Sequence, residues 1–278
     1  MSAAFAALTS DPNLLACELV RPDAAVRLTE EGRRHNAIGM GWYSADDVLL
    51  QRYAPPSAPR DLSELAFAGT TEALVFHARV LPLGMSLEDN AQPFRFRSWL
   101  FAHAGELSAY RGFKQRLWEE LPDFLKRSVR GETDSEVAFA VFLQQLREAG
   151  RLDDRALEPE RAAQLLGVTA RRLEELASAR GAAGKSSIDL VTTNQHLLLA
   201  TRLGPSPLYF RQLGGRAECE RCGLARRTPR TERRIRAHER CRSVIVASHP
   251  RSPEGWREIP EATVLAVAPS AEVQLLAI

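Results

Sequence analysis

The 278-residue sequence is poor in lysine and in cysteine. Only Lys114, Lys126 and Lys185 accompany the 34 arginines, a bias that reads mainly as coding preference. Four cysteines sit unevenly, Cys17 alone and then Cys219, Cys222 and Cys241, which is not the even framework of a disulfide-stapled domain. No run approaches the ~18 uninterrupted apolar residues that a membrane-crossing helix needs. The opening MSAAFAALTSDP lacks a cationic start, and Asp11-Pro12 breaks its apolar run, so no export signal is expected and the cytoplasm is the expected compartment. A net charge of +2 excludes a uniformly basic nucleic-acid coat. What is present is an ordinary globular balance, 45% hydrophobic and 26% charged, on a chain long enough to bury a large core.

Periodicity divides the chain into strands, then helices, then strands. Residues 1–53 read as strand and loop, including Gly39–Tyr43 and Val48–Tyr53, followed by a Pro/Ser-rich loop over Tyr53–Glu64. Ala73–Val80 and Ser98–Gly105 are β-like runs. Helical spacing covers Phe113–Val129, with Pro122 bending or splitting it. Thr133 or Asp134 can cap the next helix, with Glu136 near its third position. Glu158–Arg180 carries Gly167 inside and is expected to form two helices. The last third turns to β, with Ser186–Thr193, His196–Leu203 and Pro207–Leu213 expected as successive antiparallel strands, followed by Ser243–Ser248, Thr263–Pro269 and the closing EVQLLAI. This order predicts an α+β architecture. It is read as a single domain over 1–278 with a Cys/His-rich insertion at about 216–242.

The motifs occur in a specific order: GMGWY, HAR with glycine five residues on, N-x-x-PF, WLFAHAGEL, RGETDSE, and SVIVASHP with GWREIP beyond it. In this order they resemble the class II glutamine amidotransferases, in particular the stand-alone bacterial branch related to the ergothioneine-pathway amidohydrolase. The resemblance covers nearly the whole chain. It implies a four-layer αββα N-terminal-nucleophile sandwich with two antiparallel sheets. It also implies glutamine or another α-amino acid as ligand, and no organic cofactor. In that chemistry a cysteine after the initiator methionine uses its own α-amine as base and attacks the glutamine amide. An Asn-Gly pair stabilises the oxyanion. An arginine holds the α-carboxylate and an aspartate the α-ammonium.

Against that pattern the nucleophile position holds Ser2. The oxyanion pair reads Ala104-Gly105, so Gly105 alone is left to offer a backbone N–H. Pro82 and Val80 replace the residues usual after the HxR motif. Gln92-Pro93-Phe94, Asn36-Ala37-Ile38-Gly39 and Ser248-His249-Pro250 also depart from the family pattern. The two ligand-gripping positions survive as Arg79 and Asp134. The resemblance therefore implies either a degenerate member that binds an amino acid or acts in regulation beside a protein partner, or a Ser2-dependent amidohydrolase. Asp134 is equally a helix cap and Arg79 equally an ion-pair partner. His77 and His103, alternating with aliphatic residues, read as hydrogen-bonded core histidines.

Independently of the resemblance, Cys219-x2-Cys222-x15-His238-x2-Cys241 has the spacing of a tetrahedral Cys₃His site, and zinc in a closed structural role is the expected ion. Reduced, unliganded thiols are the plainer alternative. Residues 219–242 contain nine Arg and three Glu, which opens a third reading, a zinc-stapled adaptor for nucleic acid or protein. No Phe, Tyr or Trp lies between Cys219 and Cys241, which argues against single-strand stacking, and a solvated basic loop is the expectation.

Overall fold

The computed structural model describes residues 2–29, 35–53, 60–64, 69–179, 186–227, 229 and 231–278. Strand β1 spans Ala3–Thr9 and helix α1 Leu15–Leu19. Strands β2 (Ala37–Ser44), β3 (Asp47–Tyr53) and β4 (Ala73–Arg79) follow, then helix α2 (Leu87–Asn90) and strands β5 (Phe94–Phe96) and β6 (Trp99–Glu106). The helical block is α3 (Tyr110–Glu120), α4 (Asp123–Lys126), α5 (Asp134–Glu148) and α6 (Pro159–Ser178). Strands β7 (Ser187–Thr193), β8 (Leu198–Arg202) and β9 (Tyr209–Leu213) precede helix α7 (Arg233–Arg240). Strands β10 (Ser243–Ala247), β11 (Arg257–Glu258), β12 (Thr263–Val267) and β13 (Val273–Ala277) complete the order.

These strands form two antiparallel sheets. One has the order β11-β9-β10-β1-β4-β2-β3 and the other β13-β12-β8-β7-β6-β5. Strand β1 lies inside the first sheet, and its unbroken apolar run AAFAALT follows from burial of both faces. Ala4, Ala6 and Leu8 face the second sheet, against Leu100, Ala102, Val191 and Leu265. Ala3, Phe5 and Ala7 face outward under Leu15 and Leu19 of α1, with Ala24 and Leu62 from two short 3-10 turns. On the far side α5 and α6 cover the second sheet, with Phe142 edge-on to Trp99 at 5.2 Å and Phe139 stacked on Phe101 at 4.9 Å. The layers are therefore helix, sheet, sheet, helix, with the α1 layer thin and the α5–α6 layer thick. Tyr43 of β2 ties the sheets together, its hydroxyl 2.8 Å from Ser98 O and 2.9 Å from Thr193 O.

Several sequence expectations hold and some need correction. Pro122 does split a helix, into α3 and α4, while Thr133 caps α5 by accepting from Glu136 N. Gly167 does not split α6. Its Cα faces Val264 of β12, with space for contact at 3.5 Å, and packing on the sheet carries the helix through the glycine. Arg180 and the Pro/Ser-rich run 54–59 lie outside the described residues. The loop expected after β1 contains α1. Strand β9 does not extend the hairpin of β7 and β8; it crosses to the other sheet and pairs with β10 and β11. Gly204, at φ +118°, begins that crossing, where a Cβ would lie 2.1 Å from Ser186 O.

Candidate functional site

Antiparallel pairing brings the start of β1, the end of β4, the end of β6 and the start of β7 to one end of the sandwich. Ala3 pairs with Ala78, which sets half-buried Ser2 level with Arg79, one residue beyond that pair. Ala4 and Gly39, the cross-strand neighbours of His77, are small and leave room for its imidazole. The N-terminus of α5 joins this end through Asp134. Its Oδ2 accepts from Leu107 N at 2.8 Å, and its Oδ1 accepts from Ser135 N at 2.8 Å and Ser135 Oγ at 3.2 Å. Three of the four lone-pair directions of this carboxylate are thus taken, and one on Oδ2 remains.

Ser135 connects the two ligand-gripping positions. Its Oγ accepts from Arg79 Nη1 at 3.1 Å and lies 3.1 Å from His103 Nδ1. Among the described residues Ser135 Oγ is the one hydrogen-bond partner of the Arg79 guanidinium, and the residue is half-buried. Burial pulls its pKa below the usual guanidinium value, against the opposing pull of Asp134 and Glu106. His103 Nε2 faces Ser187 O at 2.9 Å, so the proton sits on Nε2, and the single Ser135 hydroxyl proton is shared between two acceptors, His103 Nδ1 at 3.1 Å and Asp134 Oδ1 at 3.2 Å. His77 Nε2 likewise faces His103 O at 3.1 Å, while its Nδ1 is buried without a partner. Burial, then Arg79 and His103, hold His77 well below the usual imidazole value, so the ring is neutral. Gln92 clasps the same stretch of β6, its Oε1 accepting from His103 N at 2.6 Å.

At the oxyanion position the Ala104 side chain is buried in the apolar layer between the sheets, where it supplies no donor. Gly105 is required by close packing alone: a Cβ there would lie 2.0 Å from Ser187 O. The cross-strand partner of Ala104 is Asp189, a residue that sequence reasoning passed over. Its Oδ2 accepts from Ser187 Oγ at 3.2 Å, and Oδ1 is buried with no partner. Burial pushes its pKa up to about 7, against the lowering pull of Ser187 and Arg202. The signal available in the sequence was a lone acid inside SSIDLVTT, a run otherwise made for burial.

The cysteine group lies elsewhere, beside α1. The ligand atoms of Cys17, Cys219, Cys222 and His238 all fall within 4.8 Å of one another, a Cys₃His group able to hold a metal. Here the sequence expectation is corrected, since Cys17 completes the group and Cys241 does not. Cys241 lies two residues before the first residue of β10, and its sulfur turns toward Thr9 Oγ1 at 3.3 Å and Ser243 Oγ at 3.7 Å. Residues Cys219–Leu224 form a tight turn, with Cys222 N donating to Cys219 O at 3.2 Å and Gly223 at φ +65°. That turn presents both sulfurs to one side. Helix α7 brings His238, whose Nδ1 donates to Arg234 O at 2.8 Å, leaving a buried Nε2 without a partner. Burial, with the neighbouring Cys222 and Cys219 sulfurs, pushes the Cys17 thiol up. Among the described residues no helix is long and apolar enough to cross a membrane.

Comparison with known proteins agrees with this fold. The Saccharomyces cerevisiae protein named "Probable glutamine amidotransferase DUG3" is 30% identical over 122 residues, 41% of this chain and 34% of that protein. The chain thus matches about a third of the length of this curated relative. Two solved structures align over 100% of this chain and 99% of theirs, each with a TM-score of 0.60 and 18% identity. They are a glutamine aminotransferase class-II domain protein from Silicibacter pomeroyi and a predicted glutamine amidotransferase from Pseudomonas aeruginosa. The glutamine phosphoribosylpyrophosphate amidotransferase of Bacillus subtilis aligns over 99% of this chain and 49% of its own, with a TM-score of 0.56 and 12% identity. At such identities these likenesses speak to the fold. Residues 25–205 match the sequence pattern described as glutamine amidotransferases class-II, and the chain belongs to that family.

Proposed function

We propose that this protein binds glutamine or a related α-amino acid in a class II amidotransferase site whose catalytic apparatus has degenerated. The observation that carries this reading is the contrast between two halves of one site. Arg79 and Asp134 converge on Ser135, with guanidinium N–H groups and one carboxylate lone pair to spare. At the reacting end stand Ser2 and the apolar Ala104. An arginine fork and a carboxylate that meet at one hydroxyl offer the partners of an α-carboxylate and an α-ammonium respectively. A serine hydroxyl is a far weaker nucleophile than a thiolate at neutral pH, and loss of one oxyanion donor costs about 10²–10³ in rate. Such a protein acts by binding or by regulating a protein partner. The soluble expectation places it in the cytoplasm, and nucleic acid is not the favoured partner. The chain is read as one domain with an insertion at 216–242, and zinc is the ion assigned to the Cys/His group, as a structural centre away from the reaction.

The test is titration calorimetry with glutamine beside an ammonia-release assay. The expected result is saturable heat that disappears in Arg79→Met, and no ammonia above the Ser2→Ala background. Absence of heat at millimolar glutamine refutes the binding reading. A second reading, Ser2-dependent amide hydrolysis, draws on one observation. The carboxyl of Asp189, on the strand next to Ala104 and protonated below about pH 7, is a hydrogen-bond donor beside the place vacated by the asparagine amide. Ammonia release abolished by Ser2→Ala, in protein whose mass shows Met1 removed, would establish that second reading instead.

A further inference from the structure

The Cys/His group stands apart from the amidotransferase end of the sandwich, on residues that chemistry does not use. It joins parts of the chain 205 residues apart: the sulfurs of Cys17 and Cys222 lie 3.5 Å from each other. Ligands bound 2.0–2.3 Å from one tetrahedral zinc sit about 3.5–3.8 Å apart, and the four atoms here are already gathered to within 4.8 Å. The imidazole is set for ligation by a neighbour. With Nδ1–H committed to Arg234 O, its lone pair is on Nε2, and that atom is buried with no hydrogen-bond partner. A buried acceptor left without a donor is costly, and a cation removes the cost. Arg216 completes the surroundings, its Nη2 donating to Cys17 O at 2.6 Å and lying 3.5 Å from Cys219 Sγ.

We infer that Cys17, Cys219, Cys222 and His238 form a closed zinc staple that fastens α1 to the Arg-rich segment 216–242. This inference rests on the assignment of zinc above and adds the identity of the fourth ligand and the task of the ion. Four protein ligands leave no open position for a substrate or an activated water, so the task is structural. The segment needs such help. Its own apolar contribution is small, with Leu224 and Ile235 packed among Leu14 and the cysteines, while most of its arginines point to solvent. Too little apolar surface is buried there to order the segment unaided, and metal ligation supplies what is missing. Because Leu15, Ala16 and Leu19 of the same helix lie on Phe5 and Ile245, the staple also holds down the thin outer layer over the seven-stranded sheet.

The experiment uses the full chain purified without chelator. Elemental analysis is expected to give one zinc per chain, and cobalt substitution a tetrahedral d–d spectrum with thiolate charge-transfer bands. Cys17→Ser loses that spectrum and Cys241→Ser keeps it, with far-UV circular dichroism reporting that both variants fold. Metal removal is expected to raise the rate of tryptic cleavage within 216–242 at least tenfold. If the wild type binds no zinc, the assignment of the ion and the staple both fall. If zinc is bound but Cys241→Ser, rather than Cys17→Ser, loses the cobalt spectrum, the ion stands and the Cys17 staple falls. Unchanged cleavage on metal removal overturns the fastening role alone.

Discussion

Asp189 makes the folding stability of this protein depend on pH in a direction opposite to the usual salt-bridged carboxylate. Its carboxyl is buried between the sheets, holds one hydrogen bond from Ser187 Oγ and leaves Oδ1 unpartnered. Arg202 lowers its pKa only at a distance, being engaged with Ser206 O, Ile259 O and Glu258. Burial lifts the folded-state value from 3.8 to about 7. Between those values the folded protein holds a proton that the unfolded chain has released. Stability therefore falls as pH rises, by about 1.4 kcal/mol per unit, and levels off above the folded value. The whole effect is roughly 4 kcal/mol, a large part of the 5–15 kcal/mol that holds a typical domain together.

Asp189→Asn removes the titration while keeping the shape and the acceptor for Ser187. The variant and the wild type are to be unfolded in urea at intervals from about pH 5 to about pH 8, and their stability difference compared. The asparagine protein is expected to gain about 2–3 kcal/mol relative to wild type over that range, nearly all of it below about pH 7. All other titrating groups are common to both proteins and cancel. A stability difference that stays constant with pH would refute the placement of this carboxyl in a dry interior.

Two other expectations follow from packing. Gly105→Ala drives a methyl carbon to 2.0 Å from Ser187 O, so β6 and β7 must part at the site, and thermal unfolding should show a loss of about 1–3 kcal/mol or more. Phe142→Ala empties the edge-on partner of Trp99 in a fully buried cluster and should cost about 3–5 kcal/mol in urea unfolding, with amino-acid binding retained if the protein is held below its new midpoint.

Much of the architecture was legible in the sequence because burial on one or two faces leaves a period. The runs Ala73–Val80 and Ser98–Gly105 read as strands, and strands occupy Ala73–Arg79 and Trp99–Glu106. The cap at Thr133 was legible because a hydroxyl followed three residues later by an acid marks a helix start. The choice between Cys17 and Cys241 was not legible. Spacing along the chain favours Cys241, but a ligand is selected by where its sulfur points, and the entry into β10 turns Cys241 toward Thr9. Asp189 was overlooked for a related reason. A single acid in an apolar strand becomes conspicuous only when its cross-strand neighbour is known to be the buried Ala104. The path of β9 was hidden because three apolar runs separated by short loops look alike whether the third stays in the sheet or leaves it.

The place of β1 bears on how the chain can be made. It forms hydrogen-bonded ladders with β4 on one side and β10 on the other, and its Ala4 N is bonded to a serine 244 residues away. A ribosome delivers β1 and β4 well over a hundred residues before β10. Throughout synthesis the strand AAFAALT can find β4 but keeps one edge open, in a sequence that carries no charge and no proline to guard it. Such distant pairing slows folding and leaves the nascent chain dependent on whatever shields that edge until residue 247 has emerged.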